Sequence, residues 1–200
     1  MMKLVLATHN KDKITEIKAL LQELPIEILT FSDFDHFPDI VEDRDTLEGN
    51  AEKKAREIHD ITGIPAMADD TGLFVDALDG EPGVFSSRYA GENVSYEDNR
   101  KKLLSEMRDI PAAKRDAAFK TVIVLIVTEK ENFVVEGRCE GYIGFDEKGT
   151  MGFGYDPIFY VHDSGKSFAE LTVEEKNKIS HRGRALQKIK EILEKITKNT

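Results

Sequence analysis

Four short segments of this 200-residue chain combine residue types that do chemistry. The first is Thr8-His9-Asn10-Lys11-Asp12-Lys13, which joins an apolar strand pattern to the start of a helical one. The first amides of a helix have no intrahelical partners, and the helix dipole favours an anion there. Asn10 can cap that helix or meet a ligand, and Lys13, one turn in, can reach a phosphate. The glycines of a P-loop are missing, so this is not a Walker A loop. A capped helix with a solvated lysine would use the same residues.

The second segment is Asp69-Asp70-Thr71-Gly72, directly after a short apolar run. Adjacent carboxylates repel one another, and a hard cation such as Mg²⁺ relieves that repulsion through oxygen ligands. On a strand their side chains point to opposite faces, so one of the two would enter a site. An Asp-Thr-Gly turn ending the strand is the plain alternative. The third segment is Gly149 to Pro157, GTMGFGYDP, with three glycines, two aromatics and an aspartate. Glycines let backbone approach a ligand closely, and an aromatic ring held there can stack on a nucleobase. The alternative is a glycine-rich hairpin loop with a core Phe. The fourth is Lys176 with Ser180-His181-Arg182-Gly183, at a helix-to-helix junction. Arg182 offers a planar fork of donors for a keto oxygen or a phosphate, and His181 can donate or accept. A capped helix start with surface charges accounts for it equally. The acidic stretch adds Glu42 and Asp43, followed by Glu48 and Asn50, and one of these can complete a metal site opposite Asp70.

Composition narrows the function classes. The net charge of −10 argues against a nucleic-acid polymer as partner, which requires a broad basic face. A small phosphate ligand needs only a few placed cations. The hydrophobic share of 40% supports a sizeable core, and no apolar run reaches the length of a membrane span. A single cysteine, Cys139, excludes a disulfide framework and a thiolate-rich metal site. Met1-Met2-Lys3 leads straight into an apolar strand with no signal-peptide pattern, so a cytoplasmic location is expected. The histidines show no metal-ligand spacing, and no serine lies in a nucleophile-elbow sequence.

Hydrophobic periodicity predicts the elements that must position these segments. Strands are expected at Lys3–Thr8, Ile26–Thr30, Ile64–Ala68 and Ile158–Val161, with another short element at Leu73–Leu78. The pattern from Ile14 to Leu24 predicts a helix stopped by Pro25, and Thr46–Thr62 a second, closed by Gly63. Ser95 and Asp98 form a capping-box signature before a third helix. Ala117–Glu129 and Asn132–Ile143 read as a long hairpin. Thr172 and Glu175 open a short helix, and Ser180 starts the last one. Alternating elements followed by a hairpin predict an α/β fold with a mixed sheet.

Five stretches occur in the order found in one family. They are LATHNKDK from Leu6 to Lys13, ADDTGL from Ala68 to Leu73, and PGVFSSRYAG from Pro82 to Gly91. GFGYDPIF from Gly152 to Phe159 and KNKISHRGRAL from Lys176 to Leu186 complete them. Together they resemble the inosine triphosphate pyrophosphatase, or Ham1-like, family over essentially the whole chain. The resemblance implies a long mixed β-sheet with flanking helices and two lobes around an active-site cleft, as one domain over residues 1–200. It implies hydrolysis of ITP, dITP and XTP to the monophosphate and pyrophosphate with Mg²⁺, by a cytoplasmic homodimer that clears deaminated purines from the nucleotide pool.

Carried over by motif, Thr8, His9, Asn10, Lys11, Asp12 and Lys13 would hold the triphosphate. Asp70 matches the catalytic carboxylate and metal ligand, Glu42 the second metal ligand, and Thr71 a substrate contact. Phe153, Gly154, Tyr155, Asp156, Lys176, His181 and Arg182 match base-binding positions. The common family form has Gly where this chain has His9, and His tolerates positive φ less well than Gly. Asp70 would accept a proton from the attacking water or orient it through the metal. Arg182 or His181 would donate to the C6 keto oxygen that adenine lacks. Maf-like pyrophosphatases share the architecture, but the GFGYDPIF and SHRG stretches favour the first family. A sensor that binds without cleaving would not need the acids Glu42, Asp69 and Asp70.

Overall fold

A computed structural model describes residues 1–162 and 164–198. Strand β1 (Met2–Leu6) is followed by helix α1 (Lys11–Leu21) and strand β2 (Ile26–Leu29). Helix α2 (Leu47–Thr62) begins at the Thr46 cap and ends on Gly63, whose φ of 65° suits a residue without Cβ. Strand β3 (Ala66–Val75) and the two-residue β4 (Pro82–Gly83) come next, then helix α3 (Tyr96–Glu106) behind its Ser95–Asp98 capping box. The long strands β5 (Asp116–Thr128) and β6 (Glu131–Ile143) are joined by a two-residue turn, which makes them antiparallel. Strand β7 (Phe159–Val161) precedes helices α4 (Val173–Ile179) and α5 (His181–Lys198).

The strands form one mixed sheet in the order β2-β1-β3-β5-β6-β7, with β4 paired to β3. β1 runs parallel to both β2 and β3. Parallel neighbours need crossover connections, which α1 and α2 supply. This is the expected α/β class with a mixed sheet and helices.

The chain divides into two units, each with its own core. The first comprises Met1–Asp70, Thr121–Gly137 and the chain from Arg182 onward. Its core gathers Leu4 and Leu6 of β1, Ile17 and Leu21 of α1, Met67 of β3, Ile123 and Leu125 of β5, and Leu186, Ile189 and Leu193 of α5. The second unit comprises Thr71–Lys120 and Arg138–His181. Its core joins Leu73, Leu103, Met107, Phe119, Cys139, Tyr155, Phe159 and Phe168. Buried Arg115 donates to four main-chain carbonyls, those of Met107, Ile110, Ile143 and Gly144.

Most element boundaries fall within a few residues of expectation, but the region around the paired aspartates does not. Ile64–Ala68 and Leu73–Leu78 were expected as separate elements flanking a turn. One continuous strand, β3, runs through Asp69, Asp70, Thr71 and Gly72 instead. The physical reason is β4. A Cβ on Gly72 would lie 2.5 Å from the Gly83 carbonyl oxygen, so this glycine serves a close strand approach and not a turn. Among the described residues, no helix is long and apolar enough to cross a membrane.

Candidate active site

In the first unit, the sequence pattern of α1 and α2 places charged residues on otherwise apolar inward faces. Asn10 caps α1 by accepting from the amides of Asp12 (2.9 Å) and Lys13 (3.2 Å), while Thr8 Oγ1 accepts from the Asn10 amide. Lys13, one turn into α1, sends its ammonium to within 3.1 Å of the Asp69 carboxylate. Glu16, on the same side of α1, pairs with Arg182 Nη1, and Arg182 Nε and Nη2 both donate to Asp69 Oδ2 at 3.3 Å. Asp69 is 1% exposed and Arg182 2%.

Asp70 has a different set of neighbours. Asn50 Nδ2 donates to its Oδ2 at 3.1 Å, and the Lys54 ammonium lies 3.7 Å from its Oδ1. Lys54 also pairs with Glu42 and donates to the Asp69 main-chain carbonyl at 2.9 Å. Glu42 is held there by α2. Asn50 bonds both the amide and the carbonyl of Arg44, and Lys53 bonds the Val41 carbonyl and the Asp43 carboxylate. The irregular acidic stretch is thus tied to one face of a helix at three successive points.

The two aspartates titrate in opposite directions. Burial pushes Asp69 up, but Lys13, Arg182 and Lys54 outweigh it and hold the carboxyl well below its ordinary 3.8. Burial also pushes Asp70 up; Lys54 opposes this, Glu42 reinforces it, and the net shift is upward. Burial pulls Lys13 down despite Asp69, whereas Asp70, Glu42 and Asp69 overcome burial and raise Lys54. Burial is the main cause of the rise in Asp70, and with the Glu42 charge added it is not offset by Lys54, Lys13 and the Asn50 amide. A hard divalent cation fits that deficit and that oxygen donor set. Among the described residues no three His, Cys, Asp or Glu side chains converge as a metal group, so phosphate oxygens or water would complete its shell.

In the second unit, the glycine-rich segment between β6 and β7 folds around Asp156. Its Oδ2 accepts from the Phe153 amide at 2.9 Å and from Lys176 Nζ, on α4, at 2.7 Å. Gly152 is required for this: a Cβ there would lie 2.1 Å from Asp156 Oδ2. The Lys176 ammonium sits 5.1 Å from the Phe153 ring centre and 5.5 Å from that of Phe168, within cation–π range. His181, 3% exposed, stacks on Phe119 with centroids 4.6 Å apart and planes 14° apart.

Several expected site residues take specific places. Lys11 and Asp12 form the exposed first turn of α1. His9 stacks on Phe31 at 3.6 Å and lies 3.3 Å from Asp39. Asp79 and Asn93 are the non-glycine residues with positive φ among those described, so His9 occupies ordinary backbone space despite replacing Gly. Thr71 is half-buried on β3, immediately after Asp70. Tyr155 is 5% exposed in the second core, with its hydroxyl donating to the Ser86 carbonyl at 2.8 Å. Gly154, at φ +60°, turns the chain between Phe153 and Tyr155. The expectation of Arg182 as a donor to the base meets a different arrangement. Its guanidinium donates through Nε, Nη1 and Nη2 to Glu16 and Asp69, because a buried guanidinium must be matched by carboxylates. Sequence reasoning missed Lys54 and Glu16. Their signal was available: Leu47, Asn50, Lys54 and Ile58 fall on one stripe of α2, and Lys13, Glu16 and Ile17 on one of α1.

The Ham1 family profile matches residues 4–192. This chain belongs to the Ham1 family. Within that family it is 50% identical over 193 residues to a protein of Geobacter sulfurreducens named dITP/XTP pyrophosphatase, covering 96% of this chain and 97% of that one. A dITP/XTP pyrophosphatase of a Thermoanaerobacter species is 52% identical over 189 residues, covering 94% and 95%. Among solved structures, a HAM1 protein from Coxiella burnetii superposes with a TM-score of 0.89 at 42% identity, covering 98% of this chain and all of the other. The Ham1 protein of Staphylococcus aureus gives 0.85 at 38% identity, with 96% and 98% covered.

Proposed function

We propose that this protein hydrolyses non-standard purine nucleoside triphosphates, dITP, ITP and XTP, to the monophosphate and pyrophosphate in a Mg²⁺-dependent reaction. The observation that carries the reading is the pair of carboxylates, Asp70 and Glu42, gathered about the ammonium of Lys54 in the first unit, in a chain about half identical to proteins named for this activity. Held by Glu42, Asp70 and phosphate oxygens, Mg²⁺ would supply charge neutralisation at the phosphates.

The chain's own residues supply the rest. A P–O bond of the α–β bridge breaks, water provides the new oxygen, and Asp70 takes the water's proton. A raised carboxyl pKa brings Asp70 closer to the working range of a general base. Lys13 and the first amides of α1 stabilise the departing pyrophosphate. Phe153 offers a ring for the purine. With Arg182 engaged by Glu16 and Asp69, donation to the C6 keto oxygen falls to His181, which Phe119 holds by stacking. A donor there meets an amino group in adenine and is left unpaired. The family resemblance further supports a cytoplasmic homodimer.

A screen of pyrophosphate release from dITP, ITP, XTP, dATP, dGTP and CTP tests this. The expected result is kcat/KM for dITP and XTP above that for dATP by on the order of 10² or more. Orthophosphate as the product, or no preference for keto purines, would overturn it.

A further inference from the structure

We propose that Tyr96 and Arg100 of α3 are positioning residues for the base subsite, holding the glycine-rich segment in the shape that presents Phe153. The inference rests on the reading of Phe153 as the purine-stacking residue.

The two side chains are four residues apart and so share one helix face. The Tyr96 ring lies 5.9 Å from the Phe153 ring, tilted by 43°. Arg100 Nε donates to Glu147 Oε1 at 2.9 Å, and Nη1 donates to the Gly154 carbonyl at 3.0 Å. Glu147 is on the outgoing limb of the segment and Gly154 on the returning limb, next to Phe153. One guanidinium therefore bridges both limbs, a geometry that its planar fork permits and a lysine cannot reproduce.

The helix that carries them is itself fixed. Its start is closed by the Ser95–Asp98 capping box. Asn99 accepts from the Ala90 amide at 2.7 Å and donates to the Ser87 carbonyl at 3.0 Å, and Leu103 is buried in the core. Gly154, at a φ of +60°, has no side chain with which to anchor the turn, so the bond from Arg100 to its carbonyl supplies a hold from α3. Tyr96 is 42% exposed, so it can be changed without opening the core.

The test is steady-state kinetics with dITP on wild type, Arg100→Ala, Arg100→Lys, Tyr96→Leu and Phe153→Ala. Inhibition by inorganic tripolyphosphate, which has no base, is measured alongside. Arg100→Ala should raise KM roughly three- to tenfold, the scale of a partly exposed charge-assisted hydrogen bond, with kcat within about twofold. Arg100→Lys should recover part of that loss, Tyr96→Leu should raise KM about twofold to threefold, and tripolyphosphate inhibition should be unchanged throughout. Amide hydrogen exchange across residues 145–157 should quicken in Arg100→Ala. An unchanged KM in Arg100→Ala, with KM raised in Phe153→Ala, would overturn the positioning role and leave the base reading standing. An unchanged KM in Phe153→Ala would overturn both. Parallel loss of kcat and of tripolyphosphate affinity in Arg100→Ala would show general disruption and also overturn the proposal.

Discussion

On one side of β3, Asp69 meets Lys13 and Arg182, with Lys54 contributing from further off; on the other, Asp70 meets Lys54, the Asn50 amide and the like-charged Glu42. Strand alternation sends neighbouring side chains apart, and the two helices that face them carry different charges. The surplus of cations holds Asp69 ionised, so its charge stabilises the folded chain as a counter-ion. Burial, reinforced by Glu42, leaves Asp70 with a charge that gains from a proton or a divalent ion. Two carboxylates adjacent in sequence are thus separated by environment and not by residue type, one held as a counter-ion and the other proposed as the reactive group.

Removing the structural anion should have the largest effect on stability. In Asp69→Asn, Arg182 keeps Glu16, while Lys13 loses the carboxylate 3.1 Å from its ammonium. The loss should be roughly 3–5 kcal/mol, the cost of breaking a buried ion pair from one side. For a chain of this size the melting temperature should fall by at least about 6 °C. A thermal melt indistinguishable from wild type would contradict the counter-ion role.

Lys13→Ala should act on the ligand instead. Binding of a non-hydrolysable ITP analogue should weaken by about 1.5–3 kcal/mol, and IMP binding by much less, because the proposed partner is the leaving pyrophosphate. Titration calorimetry with both ligands checks this, and equal losses would place Lys13 elsewhere.

The smallest effect is a pH slope. The folded pKa of Asp69 lies below its unfolded value of 3.8, so its stabilisation is complete above that value and declines as pH falls below it. Between about pH 4 and about pH 2, wild type should lose stability more steeply than Asp69→Asn. Parallel urea-denaturation curves across that window would contradict the assignment.

Much of this arrangement is legible in the sequence. The strand-to-helix turn, the Thr46 and Ser95 caps and the long hairpin follow from local rules, because their causes lie within a few residues. β3 was not legible as one strand, because Gly72 reads as a turn residue until Gly83 is placed against it. The place of Glu42 beside Asp70 was not legible from local pattern, since it depends on Asn50, Lys53 and Lys54 gripping an irregular stretch from α2. The buried ion pairs of Arg182 were illegible for a similar reason. Its partners Glu16 and Asp69 are 166 and 113 residues away in sequence, and nothing local to the SHRG stretch announces them.

Pyrophosphate release by Asp70→Asn, measured on protein whose thermal melt is recorded in the same preparation, separates the two aspartates most directly. Because the folded pKa of Asp70 is raised, its ionised form costs stability above that pKa, and a neutral isostere removes the cost. Turnover of dITP should fall by about 10²-fold or more while the melting temperature stays at or above that of wild type. A folded Asp70→Asn protein that keeps near-normal turnover would contradict the assignment of Asp70 as the reactive carboxylate.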